Sequence, residues 1–141
     1  MEPLAIADLP EHALLLVDSA PIIYVLESHE TLAQRFEPIF AAHARGALRL
    51  AVTTITIAEV LTGPLRASDE ALARRYRAVL ESWQVVDLTA EIAETAARLR
   101  ATAGLKLADA VQAASAVTIN AFALVTHDRD FSRLSSLRVV T

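Results

Sequence analysis

The feature that most constrains this 141-residue chain is the run Ala13–Asp18 (ALLLVD), apolar residues closed by an acid. A stretch this short, without polar alternation, is the pattern of a strand buried on both faces of a parallel sheet. A short helix is expected next over Ala20–Glu27, capped by Ser19 and with Pro21 in its first turn. A second, Thr31–Arg45, is stopped by Gly46. Leu48–Thr53 is the next strand, Thr56–Leu61 a helix ended by Gly63-Pro64, and Ser68–Trp83 an amphipathic helix capped by Ser68. Val85–Leu88, Ala121–Thr126 and Leu137–Val140 read as further strands. Ala90–Thr102 and the alanine-rich, largely buried Leu107–Ile119 read as helices parted by Gly104. Strands alternating with helices imply βαβ units: an α/β fold, one domain with a central, mainly parallel sheet flanked by helices on both faces. Nothing in the sequence resembles a linker or a repeat, so residues 13–141 are expected to form that domain behind an amino-terminal extension, 1–12.

Composition removes several chemistries. The chain has no cysteine, which excludes disulfides, a thiol nucleophile and cysteine-ligated metals. Its four histidines (His12, His29, His43, His127) lack the spacing of a histidine-built metal site. No apolar run approaches the roughly 18 residues of a membrane span, and residues 1–11 carry acids and no lysine or arginine, the wrong sign for a secretory leader. A cytoplasmic protein is the expectation. Net charge is −4, whereas a protein gripping nucleic acid by its own charge is usually basic. If phosphates are handled here, something other than net charge must meet them.

Four acids fall at strand-to-helix junctions: Asp18, Glu59, Asp109 and Asp128. Taken singly, each has a structural explanation. Asp18 and Asp128 suit turns or caps. Thr56-Ile57-Ala58-Glu59 fits a capping box, and Asp109 suits a helix dipole. Together these explanations weaken, because this fold gathers the positions at one sheet edge. At about 5–6 Å and an effective dielectric near 20, each carboxylate pair repels by about 3 kcal/mol. Hard divalent cations with all-oxygen ligands, Mg²⁺ or Mn²⁺, suit such a cluster and would also meet a phosphate. The cluster points to metal-assisted phosphodiester chemistry.

The segments LLLVDSAPIIYVLE (Leu14–Glu27), TTITIAEVLTGP (Thr53–Pro64), LKLADAVQAASAV (Leu105–Val117) and LVTHDRDF (Leu124–Phe131), in this order, resemble the PIN-domain family. Within it they resemble the VapC-type ribonuclease toxins of bacterial toxin–antitoxin pairs. The resemblance implies that Asp18, Glu59, Asp109 and Asp128 are the catalytic and metal-binding acids, supported by the hydroxyls of Ser19 and Thr126. It implies a Mg²⁺- or Mn²⁺-dependent endoribonuclease in which metal-activated water hydrolyses the RNA phosphodiester bond and leaves a 5′-phosphate. It also implies a homodimer and a VapB-type antitoxin as partner. Ile22, Ile23 and Leu26, on the early helix, are expected to help receive that partner. One departure is Ala20, where relatives commonly carry a second hydroxyl.

Two acids compete for the fourth position. Asp128 lies two residues beyond Thr126, as in the family's T-x-[DN], whereas Asp130 is expected to cap the following turn through the Ser132 or Arg133 amides. His127 is expected in a surface loop, Arg74-Arg75-Tyr76-Arg77 on a solvated helix face, and Tyr24 and Trp83 in the core or an interface. A response-regulator receiver fails, because Asp18 is followed by Ser19 rather than a second acid. An aspartate-nucleophile phosphatase fails for want of D-x-D. The alternative that remains is a catalytically silent PIN-like binding or assembly module.

Overall fold

A computed structural model describes residues 5–141. Of the expected extension, residues 1–4 lie outside the described residues. The remainder runs in turns, with Ile6 and Leu9 packed on the core and the His12 amide bonded to the Ala47 carbonyl at 2.8 Å.

The order is β1 (Ala13–Val17), α1 (Ser19–Leu26), α2 (Leu32–Ala44), β2 (Leu48–Thr53), α3 (Thr54–Arg66), α4 (Glu70–Glu81), β3 (Gln84–Val86), α5 (Ala90–Ala103), α6 (Leu107–Thr118), β4 (Ala123–Val125) and β5 (Val139–Val140). All four strand pairings are parallel, and the sheet order is β3-β2-β1-β4-β5. The chain winds outward from β1 in one direction and, through β4, in the other. That reversal between β1 and β4 opens a crevice beyond their carboxyl ends.

The alternation of β1 builds two cores. Leu15 and Val17 face α1–α4, packing with Ile22, Phe36, Ile39, Val60 and Leu80, while Leu14 and Leu16 face Ile92, Ala96 and Ala110 of α5 and α6. All five β1 residues are buried, as a central parallel strand requires. Residues Ala110–Ala116 of α6 are buried without interruption, and their small side chains let the helix sit close on the sheet. Trp83 is buried, Tyr24 is half-buried, and the Arg74-Arg75 pair is exposed.

Several expected boundaries shift. Asp18, not Ser19, caps α1, and Asp69, not Ser68, caps α4 by accepting from the Leu72 amide. Helix α3 starts earlier, capped by Thr53, and continues through Gly63-Pro64 because the Pro64 ring is buried there. At Gly63 an added Cβ would meet only the flexible Glu27 carboxylate, at 3.3 Å, and the helix runs on through this residue rather than ending there. Gly104 does end α5, in the left-handed conformation at φ 67°.

Candidate metal centre

The crevice at the β1/β4 reversal is a cleft of about 500 Å³ whose lining includes Asp18, Glu59, Asp109 and Asp128, together with Gln112 and Arg129. Each acid arrives by a different local route. Asp18 is the first residue past β1 and caps α1. Glu59 lies in the second turn of α3, Asp109 in the first turn of α6, and Asp128 just past β4.

Asp18 is held by three donors. Its Oδ1 accepts from the Ser19 amide at 2.9 Å and from Gln112 Nε2 at 2.9 Å, and its Oδ2 accepts from Thr126 Oγ1 at 2.8 Å. A carboxylate has about four lone-pair sites, so roughly one remains for a further partner. Glu59 does not close a capping box. The α3 cap is Thr53 Oγ1, which accepts from the Thr56 amide at 3.1 Å, while Glu59 Oε1 accepts from Ser19 Oγ at 2.8 Å. Ser19 is thereby a donor to one acid and a backbone support of another.

Asp109, Asp128 and Asp130 each offer a carboxylate oxygen, all within 4.8 Å of one another. Among the described residues no donor bonds the Asp109 carboxylate, which is pushed up to about 6 by burial first and then by the Asp128, Asp18 and Asp130 charges, against a smaller pull from Lys106. Asp130, expected to cap the following turn, stands instead within this group of carboxylates. The capping roles are reversed: Asp128 Oδ1 accepts from the Asp130 amide at 2.8 Å and caps the 3₁₀ turn Arg129–Arg133, leaving the Asp130 carboxylate beside its neighbours. Asp128 itself is steered by Thr126, whose Oγ1 accepts from the Asp128 amide at 3.0 Å. His127 is exposed, as expected, with its ring edge-on to Tyr24 and Phe36.

This donor set fits a hard divalent cation. It is all carboxylate oxygen, the ligand class that Mg²⁺ and Mn²⁺ prefer. Ligands on opposite sides of Mg²⁺ lie about 4.2 Å apart, so a span of 4.8 Å is close to what one ion holds. Asp109 is raised first by burial and then by neighbouring carboxylates, both of which an ion paired with it would offset.

A family model described as PIN domain matches residues 15–137. The chain belongs to the PIN-domain family. The PIN domain also matches solved structures across most of its length. One is a chain of a toxin–antitoxin complex from Klebsiella pneumoniae, 29% identical, with a TM-score of 0.70, covering 90% of this chain and 96% of that one. Another belongs to VapBC-1 from nontypeable Haemophilus influenzae, 22% identical at a TM-score of 0.70, covering 89% and 96%. A third is Mycobacterium tuberculosis VapC20, described as a sarcin-ricin loop cleaving toxin, 17% identical at a TM-score of 0.69, covering 84% and 92%. At those lower identities the last two show the fold alone. No curated protein matches the sequence. Among the described residues no helix is long and apolar enough to cross a membrane.

Proposed function

We propose that this PIN domain is a Mg²⁺- or Mn²⁺-dependent endoribonuclease, the toxin of a toxin–antitoxin pair acting in the cytoplasm. The observation that carries the proposal is the cleft at the sheet reversal, where Asp18, Glu59, Asp109 and Asp128 line one wall-to-wall site and Asp130 joins Asp109 and Asp128. Membership of the PIN-domain family, and 29% identity to a chain of a toxin–antitoxin complex, support the same reading.

Asp109 and Asp128, with Asp130, are the residues that would hold the ion, and the open lone pair of Asp18 would join them. Glu59, which lines the same cleft, completes the acidic set. When bound, Mg²⁺ or Mn²⁺ supplies Lewis-acid charge to phosphate oxygens and lowers the pKa of its water. The chain's own part is to fix the carboxylates. Ser19 and Thr126 hold Asp18 and Glu59 in place, and Arg129 at the rim offers a cation to a neighbouring phosphate. Hydrolysis adds water to phosphorus and breaks the bond to the 3′-oxygen.

The antitoxin and the homodimer belong to the same proposal. Ile22 is fully buried in the core, so it does not receive a partner. Leu26 does line an apolar cleft of about 230 Å³, with Val25, Phe40, His43, Val79 and Trp83, which fits an apolar helix of a VapB-type antitoxin. The domain of residues 13–141 is proposed as the unit that does this work.

The test is cleavage of a mixed RNA pool by purified protein with Mg²⁺, with Mn²⁺ and with excess EDTA. Metal-dependent products are expected. Cleavage persisting in EDTA would sink the proposal, and absence of cleavage under every condition would favour the silent module.

A further inference from the structure

Gln112 does more than hold Asp18: it lines the cleft, is 1% exposed, and places all of its amide's polar atoms on named partners. Its Nε2 donates to Asp18 Oδ1 at 2.9 Å and to Thr56 Oγ1 at 2.7 Å, and its Oε1 accepts from Thr53 Oγ1 at 2.6 Å. The amide orientation follows from its partners. A flipped amide would set Oε1 against Asp18 Oδ1, two acceptors in contact, so the nitrogen must face Asp18.

That orientation fixes the direction of the bonds beyond it. Thr56 Oγ1 spends an acceptor site on the amide, so its single hydrogen is free for Ser19 Oγ, 3.0 Å away. Ser19 Oγ in turn donates to Glu59 Oε1 at 2.8 Å. Thr53 directs its hydrogen to the Gln112 carbonyl. The result is a one-way chain from Thr53 into Gln112, branching from the amide nitrogen to Asp18 directly and to Glu59 through two hydroxyls. No described buried side-chain polar atom is left unpaired.

We infer that Gln112 is a positioning residue that orients Asp18 and Glu59 together, as two acceptors fed from one buried amide. The inference rests on the proposed metal-dependent activity and adds to it the residue that links these two acids. A buried amide suits this task, because it carries two fixed donors and no charge of its own. Glutamate at this position would present oxygen to Asp18 and lose both branches. Partners that orient metal-ligating groups typically change affinity or activity by about 10–100-fold when lost.

The test compares wild-type protein with Gln112→Met, which keeps the unbranched shape without the amide, by three readouts. Calorimetric Mn²⁺ affinity and kcat are each expected to fall about 10–100-fold, with KM for RNA within about two-fold. By NMR, the side-chain carboxyl ¹³C resonances of both Asp18 and Glu59 are expected to shift in the metal-free variant. Should Gln112→Met fail to fold, Thr56→Val cuts only the Glu59 branch. Its expected signature is a shifted Glu59 resonance with the Asp18 resonance unmoved. Unshifted resonances, or Mn²⁺ affinity and kcat within two-fold of wild type, would overturn the role of Gln112. A wild-type protein that binds no Mn²⁺ would instead overturn the metal-dependent activity, and the carboxyl resonances would still decide what Gln112 does.

Discussion

Asp18 and Asp109 line the same cleft and are built in opposite ways. Asp18 is satisfied by three donors from Ser19, Gln112 and Thr126 before anything binds. Asp109 has no such donor among the described residues; burial first, and then the charges of Asp128, Asp18 and Asp130, raise it to about 6. One wall of the site is therefore preformed, while the other is strained by charge and needs a cation to settle it. The preformed wall gives geometry; the repelling wall gives affinity for the ion, because the repulsion relieved on binding adds to the attraction.

Substitution by asparagine breaks this contrast most sharply. Asp18→Asn and Asp109→Asn should each lower RNA cleavage by about 100-fold or more, since loss of a mere supporting partner is worth about 10–100-fold. Their stabilities should diverge. Asp18→Asn presents an NH₂ group to donors and should cost about 1–3 kcal/mol, whereas Asp109→Asn relieves repulsion and should raise the metal-free melting temperature. Thermal melts in EDTA check both signs. Equal shifts would erase the distinction.

Asp128 and Asp130 sharpen the comparison within the repelling wall. Asp128 caps the 3₁₀ turn as well as facing Asp109, so Asp128→Ala should lose activity and about 1 kcal/mol of stability. Asp130→Ala, whose only described ion pair is a long contact to Arg133 at 3.6 Å, should lower Mn²⁺ affinity with little change in melting temperature. Calorimetry and melts on both variants separate the roles.

The smallest effect is expected at the rim. Arg129 is exposed, forms no ion pair with a described residue, and lines both the acidic cleft and an adjoining one shared with Arg35 and His127. Arg129→Ala should raise KM for RNA a few-fold, leave kcat unchanged, and reduce the salt dependence of RNA binding by about one phosphate contact. RNA affinity measured across salt concentrations tests this.

The architecture was legible because β1, β2 and β4 are short apolar runs and the helices between them carry clear caps or breaks. The four acids were legible because Asp18 and Asp128 follow strands directly and Glu59 and Asp109 lie near helix starts that line the same cleft. What sequence missed depended on tertiary contacts. Gln112 stands inside an alanine-rich helix, and its only signal is a large polar residue among Ala110–Ala116, all of them buried. Thr56 looked like a cap, but its hydroxyl is drawn to Gln112 across more than 50 residues of chain. Asp128 holds its expected place and also takes the cap expected of Asp130, which joins the cluster, because the 3₁₀ turn that decides between capping and clustering is not announced by a stretch as short as RDFSR. Helix α3 passed its Gly-Pro pair because packing of Pro64 outweighs a local propensity.

The pH dependence of stabilisation by metal tests the two-wall account most directly. Because the folded-state value of Asp109 lies above its ordinary 3.8, ionising it opposes folding: in the metal-free protein the stability contributed by neutral Asp109 is fully present below about pH 4 and is lost as pH rises through about 6. A cation binds the ionised form and should reverse the trend. Melting temperature is therefore measured from pH 4.5 to 7.5 with excess Mn²⁺ and with EDTA. The account predicts a Mn²⁺-induced increase that is small at pH 4.5, grows through pH 6, and is largely lost in Asp109→Asn. An increase absent at pH 7.5, or equal at every pH and in Asp109→Asn, would contradict it.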